Sequence, residues 1–238
     1  LTVSEHIKQA RSCADCGAVY CGGNSMGIVS RPNQLNSWFV PSRRLPENHG
    51  PYANAALVSQ SGAFMICRLS KMPHLVARYA ISVGNQLDLR HGDYLHYLLE
   101  DEEISVIGFY IEGFVEDDGP YFLEGLRAAK RAGKQVVVYK AGRTAEGQRS
   151  SASHTAAIAG DYQTAVSLMA SQGAWVCESM AEFEGALLLS SYLAHTQCEV
   201  STVAAISNAG FECVSLADNL EPPLSLAALR EPTRQTIG

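Results

Sequence analysis

Short runs of apolar, β-branched residues recur along the chain, separated by stretches in which apolar positions return every three or four residues. The runs at residues 55–59, 78–82, 104–112, 135–140 and 174–177, with a sixth at 202–207, are continuous rather than alternating. Strands covered on both faces, as in a parallel sheet, read this way. The stretches between them carry helix punctuation. Ser61 is placed to cap a helix from Gly62 to about Val76. Asp93 is placed to cap residues 94–101, where Leu95, Leu98 and Leu99 share one face. Gly119-Pro120 opens a helix over 121–132 that Gly133 closes, and Asp161 and Gly173 bracket 162–172 in the same way. The β-α-β-α order predicts an α/β fold built on a doubly wound parallel sheet, with sites at the carboxyl ends of its strands.

The punctuation also sets expected boundaries. Residues 31–52 hold Arg31-Pro32-Asn33, Pro41, Pro46 and Gly50-Pro51 and read as a linker. Residues 53–197 then form a complete five-stranded domain. Residues 1–30, with a helix from Val3 and a strand near Val19, read as the tail of a preceding domain, and residues 198–238 as the start of a following one. The start at Leu1 and the stop at Gly238 in mid-domain are expected to reflect a longer parent chain.

Composition narrows the functional classes. The net charge of −6 argues against general nucleic-acid binding. No uninterrupted apolar stretch reaches the roughly 18–20 residues of a membrane-spanning helix, and no signal-peptide pattern opens the chain. The seven cysteines are scattered, and Cys13, Cys16 and Cys21 lack a nearby fourth ligand. They read as reduced thiols rather than a metal site, which makes the cytoplasm the expected compartment.

Three constellations could carry chemistry. In Val58-Ser59-Gln60-Ser61-Gly62-Ala63-Phe64 a strand runs into a helix start, where free N–H groups favour an anion. Ser59, Gln60, Ser61 and Gly62 therefore form either a phosphate-binding turn or an ordinary serine cap. His154 ends a polar stretch, residues 143–153, read as a long loop, and is either an exposed loop histidine or a nucleophile and phosphate carrier. Glu112 closes an apolar strand on the same rim, where it could orient an imidazole, cap a helix or sit at the surface.

Five segments in order resemble one family: Ala-Leu-Val-Ser-Gln-Ser-Gly-Ala-Phe (56–64), Ile-Ser-Val-Gly-Asn-Gln-Leu-Asp (81–88), Tyr-Ile-Glu-Gly-Phe (110–114), Val-Val-Tyr-Lys-Ala-Gly-Arg-Thr (137–144) and Ser-His-Thr-Ala-Ala (153–157). They resemble the nucleoside-diphosphate-forming acyl-CoA synthetases, relatives of the succinyl-CoA synthetase α subunit and of ADP-forming acetyl-CoA synthetase. The resemblance implies a flavodoxin-like succinyl-CoA synthetase domain with partial flanking α/β domains. It also implies a ligase that interconverts acyl-CoA, phosphate and ADP with carboxylic acid, CoA and ATP through acyl phosphate and a phosphohistidine.

Carried over, His154 is the phosphohistidine and Glu112 its supporting carboxylate, while Ser59, Gln60, Ser61 and Gly62 hold phosphate. Ile66, Gly84 and Asn85 would line the acyl pocket. Ile66 stands where succinate-specific members carry Tyr, which favours a monocarboxylic acyl group. Gly22-Gly23-Asn24-Ser25-Met26-Gly27 resembles the family's turn at the end of its CoA-binding domain, with Gly23 for Pro and Ser25 for Cys, so Asn24 and Ser25 are candidates there. Phe211 and Glu212 depart from the small residues that the family carries after Asn208-Ala209-Gly210. No ATP-grasp pattern is present. ATP/ADP and Mg2+ would come through an ATP-grasp partner subunit or domain, acyl-CoA and phosphate would be the substrates, and an oligomer is expected. A non-catalytic acyl-CoA-sensing regulatory module of a multidomain protein, such as a protein acetyltransferase, is the alternative.

Overall fold

A computed structural model describes residues 5, 8, 12, 15–41, 48–115, 117–154, 161–194, 196 and 201–237, those at 150–154 and 237 by backbone alone. The chain divides into two units, Leu1–His195 and Thr196–Gly238. Most of the helix expected from Val3 lies outside the described residues, although Glu5, Lys8, Ser12 and Asp15 are helical.

Among the described residues the first unit has seven strands: β1 (Ile28–Ser30), β2 (Leu35–Asn36), β3 (Ala55–Ser59), β4 (Ala77–Ser82), β5 (Val106–Ile111), β6 (Gln135–Lys140) and β7 (Trp175–Cys177). Their order across the sheet is β2-β1-β4-β3-β5-β6-β7. Strands β3 to β7 are mutually parallel where they pair. Counted alone, these five run second, first, third, fourth, fifth, the flavodoxin arrangement, and the winding reverses between β3 and β5. The carboxyl ends of those two strands therefore part to leave a crevice.

Side-chain alternation explains why the strand runs are apolar throughout. Leu57, Val106 and Val137 face one layer, made by α1 (Gly62–Lys71) and α6 (Met180–Leu193), with Met65, Leu69, Phe183 and Leu187 buried against them. Val58, Phe109 and Val138 face the other, made by α2 (His91–Leu99), α3 (Asp118–Arg131) and α5 (Tyr162–Ser171), with Leu95, Leu98, Phe122 and Met169. Ser61 caps α1 by accepting from Phe64 N at 3.2 Å, and Asp161 caps α5 by accepting from Thr164 N at 2.8 Å.

Several expectations are corrected. Residues 18–23 form no strand. Their carbonyls instead accept from a neighbouring turn, with Leu89 N to Tyr20 O at 3.2 Å and Leu87 N to Gly22 O at 2.9 Å. Residues 28–36, read as a domain end and a linker, are a hairpin whose β1 pairs antiparallel with β4 and widens the sheet. Helix α2 starts three residues early: Arg90 occupies the cap position, and the Asp93 carboxylate accepts from Arg90 N at 2.8 Å from within the first turn. The polar stretch after Arg143 is not a loop up to His154. It winds into α4 (Ala145–His154), where Thr144 accepts from Gly147 N at 3.1 Å and Glu146 pairs with Arg149 one turn on. Helix α1 stops at Lys71 rather than Val76.

The second unit has strands β8 (Thr202–Val203) and β9 (Ser225–Leu226), paired in parallel, and helices α7 (Gly210–Asp218) and α8 (Glu231–Ile237). The strand expected over 202–207 is limited to its first two residues. Ser207 Oγ bonds to the Glu212 carboxylate in the first turn of α7, so the chain's own acid faces that helix start.

Candidate functional site

Where the winding reverses, the chain leaves β3 through Ser59-Gln60-Ser61 and enters α1 at Gly62. A cleft of about 570 Å3 opens there, lined by Asn24, Ser25, Gln60, Ser61, Gly62, Ile66, Gly84, Asn85 and Glu112 among others. Three separately chosen groups of candidates thus meet: the turn after β3, the Gly84-Asn85 turn after β4, and Asn24-Ser25. Ser59 is the exception. It is buried below the turn, and its Oγ donates to Ser61 O at 2.6 Å, so its hydroxyl proton is committed to shaping the turn.

Gly62 is required at the helix start by close packing. A Cβ there would stand 2.8 Å from Met26 Cβ and 3.3 Å from Ser82 Oγ. Ser82 Oγ accepts from Met26 N at 3.0 Å, and Ser25 Oγ donates to Ser82 O at 2.5 Å. The 24–26 turn is therefore seated directly against the N-terminus of α1, where unbonded N–H groups favour an anion by about 0.3–1 kcal/mol.

Glu112 follows the last residue of β5. Its carboxylate is hydrogen-bonded by the Tyr110 hydroxyl, whose pKa is pushed up by burial and then by the Glu112 charge. Tyr110 in turn stacks on Phe64 of α1 with ring centroids 4.0 Å apart. Beneath the cleft lies a buried polar layer. Gln60 Oε1 accepts from Glu112 N at 2.8 Å, from Gly113 N at 3.2 Å and from His91 Nε2 at 3.3 Å. Burial and the nearby Lys140 charge hold the His91 imidazole neutral, its pKa lowered to about 3. The Lys140 ammonium donates to Glu112 O at 2.8 Å and to Ala141 O at 2.7 Å, and burial lowers its pKa to about 8.

Sequence reasoning missed part of this site. Met26, Phe39, Val40 and Ala63 also line the cleft, two of them from the stretch read as a linker. Their only signal was apolar character amid turn residues. Lys140 was legible as a charge ending an apolar strand. The backbone of His154 is the last residue of α4, while its side chain and Thr155–Ala157 lie outside the described residues. Among the described residues, no three His, Cys, Asp or Glu side chains converge as a metal ion would require, and no helix is long and apolar enough to cross a membrane. Cys13 lies outside the described residues, Cys16 is exposed, and Cys21 accepts from the Tyr94 hydroxyl at 3.0 Å.

Comparison with known proteins follows the same geometry. Residues 52–189 match the succinyl-CoA ligase like flavodoxin domain. The chain is 33% identical over 205 residues to acetate–CoA ligase (ADP-forming) I of Archaeoglobus fulgidus, covering 85% of this chain and 28% of that protein. It is 32% identical over 222 residues to the alpha subunit of acetate–CoA ligase (ADP-forming) II of Pyrococcus furiosus, covering 91% and 45%. Among solved structures, the dinucleotide forming acetyl-coenzyme A synthetase 1 of Ca. Korarchaeum cryptofilum, in complex with phosphate and ADP, aligns with a TM-score of 0.71 at 27% identity, covering 90% of this chain and 45% of that one. The chain spans less than half the length of each of these relatives. A match that begins just before β3 and continues into α6 takes in the whole parallel sheet and the crevice at its reversal, and the chain belongs to the succinyl-CoA ligase-like flavodoxin domain family.

Proposed function

We propose that this chain is the α-type module of an ADP-forming acyl-CoA synthetase, in which acyl-CoA, phosphate and ADP are interconverted with carboxylic acid, CoA and ATP. The observation that carries the reading is the cleft at the β3/β5 reversal, where the α1 N-terminus, Gln60 and Ser61 face Glu112. Phosphate held at that helix start attacks the thioester carbonyl with one oxygen. The C–S bond breaks, and CoA leaves as a thiolate that takes up a proton. An imidazole nitrogen of His154 then attacks phosphorus, the bond to the acyl oxygen breaks, and the carboxylate departs. The phosphoryl group passes from His154 to ADP. Glu112 suits the imidazole rather than the phosphate, because two anions in one desolvated cleft repel.

Among the described residues that line the cleft Glu112 is the sole ionisable side chain, and Met26, Val40 and Ile66 supply apolar wall. Ile66 on that wall stands where succinate-specific members carry Tyr, which supports a monocarboxylic substrate. The nucleotide and its Mg2+ are assigned to an ATP-grasp subunit or domain. The sensing-module alternative draws no support from relatives named as ligases.

The test is to combine the full-length polypeptide with its nucleotide-binding part and γ-labelled ATP. Acid-labile, base-stable label on the chain is expected, and its loss in His154→Ala confirms the site. An unlabelled wild-type chain that still binds acyl-CoA would sink the proposal and favour the sensing module.

A further inference from the structure

The ladder of β5 ends at Ile111, whose carbonyl accepts from Ala141 N at 2.9 Å. The next two residues have left the sheet, yet all four of their backbone polar atoms are held by buried side chains. Gln60 Oε1 accepts from the N–H of Glu112 and of Gly113, Lys140 Nζ donates to Glu112 O at 2.8 Å, and Gln86 Nε2 donates to Gly113 O at 3.0 Å. Gln60 is 5% exposed, Gln86 3% and Lys140 8%. The three come from the turns after β3 and β4 and from the end of β6, so no single element imposes the arrangement.

Stability alone does not call for this construction. Strand ends are ordinarily satisfied by water or a tight turn, whereas burying an ammonium is unfavourable unless it is fully paired. Among the described residues the layer also leaves buried polar atoms without a hydrogen-bond partner: Gln60 Nε2, Gln86 Oε1 and His91 Nδ1. Gln86 moreover adopts a left-handed backbone at φ 55°. Orphaned polar atoms and left-handed non-glycine residues gather where geometry is held for function. What this layer holds is the two-residue segment that carries the cleft's carboxylate.

We propose that Lys140 and Gln86 are positioning residues for Glu112, clamping its backbone so that the carboxylate stands at one place on the rim of the cleft. The inference rests on the ligase reading for its catalytic consequence, though not for the clamp itself. Two variants keep side-chain volume while removing the donor, Lys140→Met and Gln86→Met. In the full-length polypeptide with its nucleotide-binding part, each is expected to slow labelling of the chain by ATP at least tenfold. The KM for inorganic phosphate should stay within twofold, because the α1 N-terminus is untouched. On a Glu112→Gln background the same substitutions should add no further loss, since a residue acting through Glu112 has nothing left to position. Full additivity with Glu112→Gln, or an unchanged labelling rate, overturns the assignment.

Amide hydrogen exchange separates this from a failure of the ligase reading. If the clamp is real, Lys140→Met raises exchange at Glu112 and Gly113 about tenfold while residues 106–110 keep their protection, whether or not the wild-type chain accepts label. Uniform loss of protection across β5 would make Lys140 a general stabilising group and refute the clamp.

Discussion

Asp118 offers a quantitative test of how the rim is built. It is the first residue of α3, 2% exposed, and its Oδ1 accepts from Gly92 N at 2.9 Å in the first turn of α2. Its Oδ2 is buried with no hydrogen-bond partner among the described residues. Burial raises its pKa from 3.8 to about 6, with the charge of Asp93 adding to the rise and Arg90 and the N–H groups of Gly92 and His91 opposing it. As pH climbs from about 4 to about 6 the unfolded chain releases this proton while the folded chain keeps it, so stability falls across that window. Two pKa units at 1.36 kcal/mol each put the loss at roughly 3 kcal/mol once the pH exceeds about 6. Asp118→Asn retains the Oδ1 acceptor and removes the charge. It should stabilise the protein by about 1–3 kcal/mol at pH 8, or roughly 2–12 °C in Tm, and by almost nothing below pH 4. Urea unfolding at the two pH values, with m compared to establish a common unfolded state, measures the difference. Equal effects at both pH values, or a destabilisation that is larger at pH 8, would refute the account of Asp118 as a buried carboxyl held against its charge.

Two further substitutions test the packing that shapes the cleft. At Gly84, φ is +68° and a Cβ would lie 2.2 Å from Gly23 O, a backbone atom that cannot turn aside. Gly84→Ala should therefore cost about 2–3 kcal/mol in urea unfolding, combining left-handed strain with loss of the Asn85 N to Gly23 O bond, and on the ligase reading should weaken acyl-CoA binding measured by calorimetry; intact binding would show that the 23–25 turn does not shape the site. In the middle of β5, a Cβ on Gly108 would lie 2.7 Å from Leu187 Cδ2 of α6. Gly108→Ala should cost about 1–3 kcal/mol by overpacking, and Leu187→Val in the same chain should recover part of it; a double variant no more stable than Gly108→Ala alone would place the strain elsewhere.

The five parallel strands were legible because a run such as Val136-Val137-Val138 has both faces to bury. The serine and aspartate caps at Ser61 and Asp161 were legible because their hydrogen bonds are local. What escaped notice lacked a local signal. Strands β1 and β2 have three and two residues, too few to show a period, and Pro32 between them reads as a breaker. Helix α4 is made of small and polar residues that suit a loop equally well. Helix α6 carries Leu187, Leu188 and Leu189 in succession, so no single apolar stripe marks it as amphipathic.

The site divides along the same line. Ser61, Gly62 and Glu112 lie at strand ends, and a doubly wound sheet directs sites to strand ends, so position along the chain was enough to select them. The residues that hold Glu112 were hidden by distance in sequence: Gln60, Gln86 and Lys140 reach it across separations of 52, 27 and 28 residues, the last two counted to Gly113 and Glu112. Each looks ordinary in its own segment, as a turn glutamine, another turn glutamine and a lysine ending a strand. Only the reversal of winding between β3 and β5 brings their side chains under one dipeptide. A carboxylate that closes an apolar strand at such a reversal therefore directs attention to the polar residues ending the neighbouring strands, since those are the groups the topology delivers to its backbone.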